Sequence, residues 1–407
     1  MLQAGYVFCH RCGHATQDAY YFNSEAVTWL QLFRTPRGKF NVAKYIPPYL
    51  EGQVGNDDAT SAVSYRFSST NDRRVQGIQH EINVECYVGN RMQLKKFVRA
   101  CPFCIGQKPE WDSVQELLPK LGNLPTYVVA VVGARTVGKS CWIHALSCPS
   151  NINVVNQGNR SGYLLSTEEW TTEVSSIIEP TELNKLGKTR MMYIKKKSGA
   201  DSFEVAQILV MDFAGELFAE SKKAEFESGA AHIFKGGEGF SGVDAVVLMT
   251  DPLPEGDGFS LATTYDRAKG EYDLLQNKPV VFVMNKSDLL VKNPPVININ
   301  NNEKMPKVPL LTEDTFANQG ADMYKKEKIQ KRVALQTAIL KHQSSLVQSI
   351  CYERRSCGFL ITSTEPCIVD DPKTGTKKEK LDFKKTMNVM DPLLWILNEL
   401  DIFPIDD

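Results

Sequence analysis

The sequence predicts an α/β domain with a mostly parallel sheet, preceded by a small β-rich module. Three observations carry the prediction. From residue 124 onward, short apolar β-branched runs alternate with helix-like stretches, the pattern of a sheet crossed by helices. One such run, Tyr127–Val132, leads through a glycine-bearing loop into the helix-like Cys141–Leu146. Before residue 110 the apolar residues instead alternate with polar ones, between two C-x-x-C pairs.

The loop is the most specific element. Residues 133–140 read Gly-Ala-Arg-Thr-Val-Gly-Lys-Ser, with the spacing G-x-x-x-x-G-K-S of a phosphate-binding loop. Strand, glycine loop and helix in that order place backbone amides and a helix N-terminus around an anion. Gly133, Arg135, Thr136, Val137, Gly138, Lys139, Ser140 and Cys141 form the expected cradle. Lys139 is expected to reach the β- and γ-phosphates, and the Ser140 hydroxyl to bind Mg²⁺.

A second apolar run, Ile208–Met211, ends in Asp212, and Gly215 follows three residues later. An Asp at the carboxyl end of a strand stands where open α/β sheets bind ligands, and it can hold Mg²⁺ through water. The Gly215 amide can approach a terminal phosphate because no side chain intervenes. A third run, Val280–Met284, leads into Asn285-Lys286-Ser287-Asp288. A carboxylate at Asp288 can accept two hydrogen bonds from guanine, which adenine does not offer. The Lys286 stem can cover the base plane, and Asn285 can tie this loop to the first one.

Together these residues resemble the G1, G3 and G4 motifs of Ras-like and translation-factor GTPases of the TRAFAC class. The small-residue loop Thr362-Ser363-Thr364, after the strand Gly358–Ile361, is similar to G5, whose backbone contacts the guanine oxygen. The resemblance spans roughly residues 124–400. It implies a P-loop GTPase domain, GTP or GDP with Mg²⁺ as cofactors, and catalytic roles for Lys139, a switch I threonine, Gly215 and Glu216. The long segments between motifs and the attached knuckles also resemble bacterial double-GTPase conflict-system proteins.

Two departures stand out. The family's minimal loop has glycine where this chain has Arg135 and Thr136, and a water-orienting Gln or His where this chain has Glu216. A carboxylate beside a phosphate is repelled unless a cation intervenes, so intrinsic hydrolysis is expected to be slow. The switch I threonine should lie between the first helix and the strand Met191–Lys195, in a long polar loop. Thr167, Thr171, Thr172, Thr181 and Thr189 are candidates, and Pro180-Thr181 resembles related switch I loops. Thr181 is therefore the expected third Mg²⁺ ligand, beside Ser140 and Asp212.

The ten cysteines include Cys9-His-Arg-Cys12 and Cys101-Pro-Phe-Cys104, each like one knuckle of a zinc ribbon. Cys9, Cys12, Cys101 and Cys104 could supply four thiolates to a tetrahedral structural zinc. In a reducing compartment such pairs read as metal ligands rather than disulfides. The separation is long, with 88 residues between Cys12 and Cys101. His10 and His14 are alternative ligands. Cys86, Cys141, Cys148, Cys351, Cys357 and Cys367 read as buried small hydrophobes.

The expected domains are residues 1–110, a β-rich module bracketed by the knuckles; 111–123, a connector; and 124–407, the nucleotide domain. The last contains the long switch I and an Asn- and Pro-rich insertion at about 291–350. Glu81–Val88 alternates most clearly, and the module is the expected site of partner recognition. The adjacent strands around Lys195 and Glu204 are expected to pair as a hairpin through Ser198-Gly199, and Met390–Phe403 to form a final amphipathic helix.

Net charge is −1, which offers no bulk signal for nucleic acid or membranes. No run of 18 apolar residues and no signal peptide is visible, so a cytoplasmic location is the default. Two functions follow. One is a GTP-hydrolysing switch that works with a protein effector or activator. The other is a slowly or non-hydrolysing GTP-bound scaffold, on the weaker resemblance a component of a bacterial defence system.

Overall fold

The structure, a computed structural model, describes residues 7–8, 15–16, 19–23, 28–34, 40–46, 63–67, 81–99, 124–133, 137–167, 189–213, 231–237, 240–250, 265, 269, 275, 277–286, 298–300, 303–304, 329–330, 333, 350, 352, 356–364, 366–370, 377–381, 386 and 388–404. The chain divides into two compact units. One comprises Pro125–Gly236 and Gly242–Asp407, the other Leu2–Leu124 with Gly237–Ser241.

The larger unit is built on a seven-stranded sheet. Its strands are β1 (Thr126–Gly133), β2 (Tyr163–Thr167), β3 (Thr189–Ser198), β4 (Asp201–Asp212), β5 (Ala245–Thr250), β6 (Val280–Met284) and β7 (Cys357–Ile361). Their spatial order is β2-β3-β4-β1-β5-β6-β7. The pairs from β4 through β1, β5 and β6 to β7 are parallel. The parallel strands are buried on both faces, so they read as continuous Val, Ile and Leu runs rather than as alternation. The expected hairpin is present: β3 and β4 pair antiparallel, Lys195 opposite Glu204, with Gly199 at φ 64° in the turn.

Four helices accompany the sheet among the described residues: α1 (Lys139–Leu146), α2 (Pro149–Gly158), α3 (Ala231–Lys235) and α4 (Asp391–Glu399). On α1, Trp142 is fully buried, and its Nε1 donates to the Val389 carbonyl at 3.0 Å. That bond ties the helix after the glycine loop to the chain entering α4. Trp395 of α4 covers Gly358 of β7 so closely that a Cβ there would lie 3.0 Å from the indole. The terminal helix therefore packs on the sheet, as its apolar stripe predicts.

The segment between α1 and β3 differs from the reading above. It is not one long loop: α2 and β2 occupy residues 149–167, and β2 extends the sheet antiparallel to β3. The polar composition of Asn151–Asn159 hides this helix. Its apolar Ile152 and Val155 are buried three residues apart, and Pro149 sits at its first turn. Asn156 then holds β2 through both ends of its amide, donating to Leu165 O and accepting from Leu165 N, each at 2.8 Å. Two short hairpins were also not anticipated, Asn298–Asn300 with Glu303–Lys304 and Pro366–Asp370 with Lys377–Leu381.

The smaller unit contains a six-stranded antiparallel sheet. In spatial order its strands are Phe40–Tyr45, Thr28–Arg34, Ala19–Asn23, Arg91–Arg99, Glu81–Val88 and Val63–Phe67. Tyr21, Leu30, Leu32, Ile82, Val84, Cys86 and Phe97 form its core. Alternation along Glu81–Val88 puts Ile82, Val84 and Cys86 inside. Burial pushes the Cys86 thiol pKa up. Cys9, Cys12, Cys101 and Cys104, with His10 and His14, lie outside the described residues.

Candidate functional site

The site sits where the sheet reverses its winding. β1 is central; the chain from it builds β2, β3 and β4 on one side, then β5, β6 and β7 on the other. Open α/β sheets bind ligands outside the carboxyl ends of the strands at such a switch point. The carboxyl ends of β1, β4, β6 and β7 carry Gly133, Asp212, Asn285 and Thr362, or lead directly into them.

Gly133 closes β1 against β5, and a Cβ there would collide with the Met249 carbonyl. Val137 is buried, and Gly138 has φ 86°, a left-handed conformation that suits glycine. α1 begins at once, with no side-chain cap and no acidic residue in its first turn. Its N-terminus thus keeps the positive potential of the helix dipole. Lys139 is 8% exposed, and its Nζ donates to the Gly133 carbonyl at 2.8 Å. The ammonium folds back over the loop it follows.

Ser140 and Asp212, 72 residues apart, meet directly. Ser140 Oγ donates to Asp212 Oδ2 at 2.6 Å, and the Asp212 side chain is 1% exposed. One helical turn further along α1, Arg190 Nη2 donates to His144 Nδ1 at 3.0 Å. Arg190 belongs to β3, and desolvation lowers its pKa. Two polar contacts therefore line the α1–sheet seam, four residues apart on one helix face. The Arg190–His144 contact escaped the sequence reading. Its only signal was a histidine four residues after the loop serine.

Asn285, fully buried, joins the glycine loop to the loop after β7. Its Nδ2 lies 3.0 Å from the Val137 carbonyl, 3.1 Å from Thr364 Oγ1 and 3.4 Å from the Gly138 carbonyl. Thr362 donates to its Oδ1 at 3.1 Å, and Thr364 Oγ1 lies 3.3 Å from the same oxygen. A Cβ on Gly138 would collide with the Asn285 amide, so the glycine and this contact belong together. Lys286 follows with φ 56°, an uncommon conformation for a non-glycine residue that re-aims the chain. Thr362, Ser363 and Thr364 are buried beside it.

The structure thus brings together Gly133, Val137, Gly138, Lys139, Ser140, Asp212, Asn285 and the Thr362–Thr364 loop. Cys141 is buried in the first turn of α1. Arg135, Thr136, Gly215, Glu216 and Asp288 lie outside the described residues. So do Thr171, Thr172 and the favoured switch I residue Thr181, while Thr167 ends β2 and Thr189 opens β3. Among the described residues, no group of three or more His, Cys, Asp or Glu side chains could hold a metal ion. A hydroxyl and a carboxylate oxygen at 2.6 Å do match the hard oxygen ligands that Mg²⁺ prefers.

No family model matches the chain, and no curated protein does. Among solved structures, the FeoB G-domain of Methanococcus jannaschii aligns with a TM-score of 0.23 and 16% identity, over 43% of this chain and 78% of that one. The G domain of the T. maritima FeoB iron transporter aligns with a TM-score of 0.19 and 14% identity, over the same shares. Scores this low carry no argument about either fold or activity. The fold and site themselves define a mixed α/β protein whose motif residues gather at the switch point of its sheet. No helix among the described residues is long and apolar enough to cross a membrane.

Proposed function

We propose that this chain binds a guanine nucleotide with Mg²⁺ at the loop between β1 and α1 and hydrolyses GTP as a molecular switch. The observation that carries the proposal is the contact between Ser140 and Asp212 at 2.6 Å. It joins the last residue of the G-x-x-x-x-G-K-S loop to the Asp of D-x-x-G, 72 residues further along the chain. The buried Lys139 ammonium and the uncapped start of α1 add the positive potential that an anionic ligand requires.

In this reading Lys139 neutralises the β- and γ-phosphates. Ser140 and Asp212 hold Mg²⁺, with Thr181 joining them in the triphosphate state. When bound, the ion would offset the negative charge of the phosphates. Asp288 accepts from the guanine edge, Lys286 covers the base, and the loop at Ser363-Thr364 offers its backbone to the guanine oxygen. Gly215 gives an amide to the terminal phosphate.

Cys9, Cys12, Cys101 and Cys104 hold a structural zinc that clips the β-rich module, and that module meets a protein partner. A cytoplasmic location belongs to the same reading, because thiolates stay reduced there. Glu216 favours a second reading, because a carboxylate stands where a neutral water-orienting group serves better. In that reading the chain holds GTP, barely hydrolyses it, and acts as a scaffold.

Single-turnover hydrolysis of radiolabelled GTP separates the two. A switch shows Mg²⁺-dependent phosphate release that Lys139→Ala abolishes. Bound GTP that persists unhydrolysed, with Glu216→Gln raising the rate, supports the scaffold. Absence of any GTP binding contradicts both.

A further inference from the structure

The Asn285 side chain has more acceptors around it than protons to give. Nδ2 carries two protons but faces three acceptors: Val137 O at 3.0 Å, Thr364 Oγ1 at 3.1 Å and Gly138 O at 3.4 Å. Gly138 O already accepts from Trp142 N at 2.9 Å, the first bond of α1. The longest contact is therefore also the one whose acceptor is best supplied elsewhere. At the other end, Oδ1 takes its shorter bond, 3.1 Å, from Thr362. The arrangement that uses each proton best sends Thr362 to Oδ1, and Nδ2 to Val137 O and Thr364 Oγ1.

The flipped amide is excluded. It would set Oδ1 against two backbone carbonyls, acceptor against acceptor, in a pocket where Asn285, Thr362 and Thr364 are each at most 1% exposed. Thr362 fixes one end of the amide. The second Nδ2 proton depends on Thr364, since among the described residues its only other acceptor lies at 3.4 Å.

We propose that Thr364 is a positioning residue: its hydroxyl locks the Asn285 carboxamide and through it clamps Val137-Gly138 to the loop after β7. The loop that grips phosphates and the loops that grip the base then move as one body. The absent side chain at Gly138 belongs to the same device, because a Cβ there would occupy the place of Nδ2. For its ligand this inference rests on the guanine-nucleotide reading, but the clamp is a property of the free protein.

The test uses the full chain with Thr364→Val, which keeps the shape and removes the hydroxyl, and Thr364→Ser, which keeps the hydroxyl. Two readings are taken. In the nucleotide-free protein, the Asn285 side-chain amide, assigned by its loss in Asn285→Ala, should give a slowly exchanging NMR pair. That pair should persist in Thr364→Ser and exchange rapidly in Thr364→Val. In the GDP complex, dissociation of a fluorescent GDP should accelerate about tenfold in Thr364→Val and stay near wild type in Thr364→Ser, as loss of one buried hydrogen bond predicts.

Unchanged exchange and unchanged dissociation in Thr364→Val overturn the proposal. So does a serine variant that behaves like valine, or a valine variant that only melts earlier. If the wild-type chain binds no guanine nucleotide, the functional reading fails separately, and the amide exchange alone decides the clamp.

Discussion

Ser140 donates its hydroxyl proton to Asp212 across 2.6 Å, and this one bond joins the start of α1 to the end of β4. A hydroxyl that donates to a carboxylate makes one of the shorter kinds of hydrogen bond. A cation that entered between them would find two oxygen ligands already converged. Ser140→Ala and Asp212→Asn should therefore each weaken the Mg²⁺ dependence of triphosphate binding. The expected loss of affinity at millimolar Mg²⁺ is about tenfold or more, with little change when Mg²⁺ is chelated. Calorimetric titration of GTP with and without Mg²⁺ checks this. Equal losses in both conditions would mean that the pair is only a structural hydrogen bond.

Gly138 and Gly89 allow a controlled comparison. Both have positive φ, 86° and 59°. A Cβ at Gly89 meets nothing within 4 Å, whereas at Gly138 it collides with Asn285. Gly89→Ala should cost only the conformational penalty, about 1 kcal/mol. Gly138→Ala should cost more and should also abolish nucleotide binding, because the Asn285 clasp has to shift. Chemical denaturation of both variants, with fluorescent GDP titration, reads the difference. Equal costs with intact binding would show that the P-loop tolerates the shift.

The legible part of the molecule was the part whose chemistry demands particular residues at particular spacings. Gly138, Lys139, Ser140, Asp212 and Asn285 could be named from sequence, and they converge because parallel strands deliver their carboxyl ends to one edge of the sheet. The β3–β4 hairpin was legible through its glycine turn, and α4 through its apolar stripe. α2 and β2 were not. Asparagine favours turns in isolation, and only tertiary context makes Asn156 a staple that pins a strand to a helix. The Arg190–His144 contact was invisible because nothing local marks two residues 46 apart as neighbours. Thr364 was expected for its backbone, and its hydroxyl acquires a role only beside Asn285.

The zinc knuckles make an independent prediction about the N-terminal module. If Cys9, Cys12, Cys101 and Cys104 hold one ion, elemental analysis of the purified chain should give about one zinc per molecule. Cys101→Ser should then lose the metal and destabilise the β-rich unit while leaving guanine-nucleotide affinity near wild type. A folded, metal-free chain whose four thiols all react freely with a thiol reagent would rule the site out.

Base selectivity is the property that defines a guanine-nucleotide switch, and Asn285, Lys286 and Asp288 are expected to provide it. Equilibrium titration of the wild-type chain with fluorescent GDP and fluorescent ADP, both in Mg²⁺, measures it directly. GDP should bind at least about tenfold more tightly, a difference of about 1.4 kcal/mol, because adenine would leave the Asp288 carboxylate without its donors. Equal affinity for the two nucleotides, or no binding of either, would contradict the assignment of this chain as a guanine-nucleotide switch.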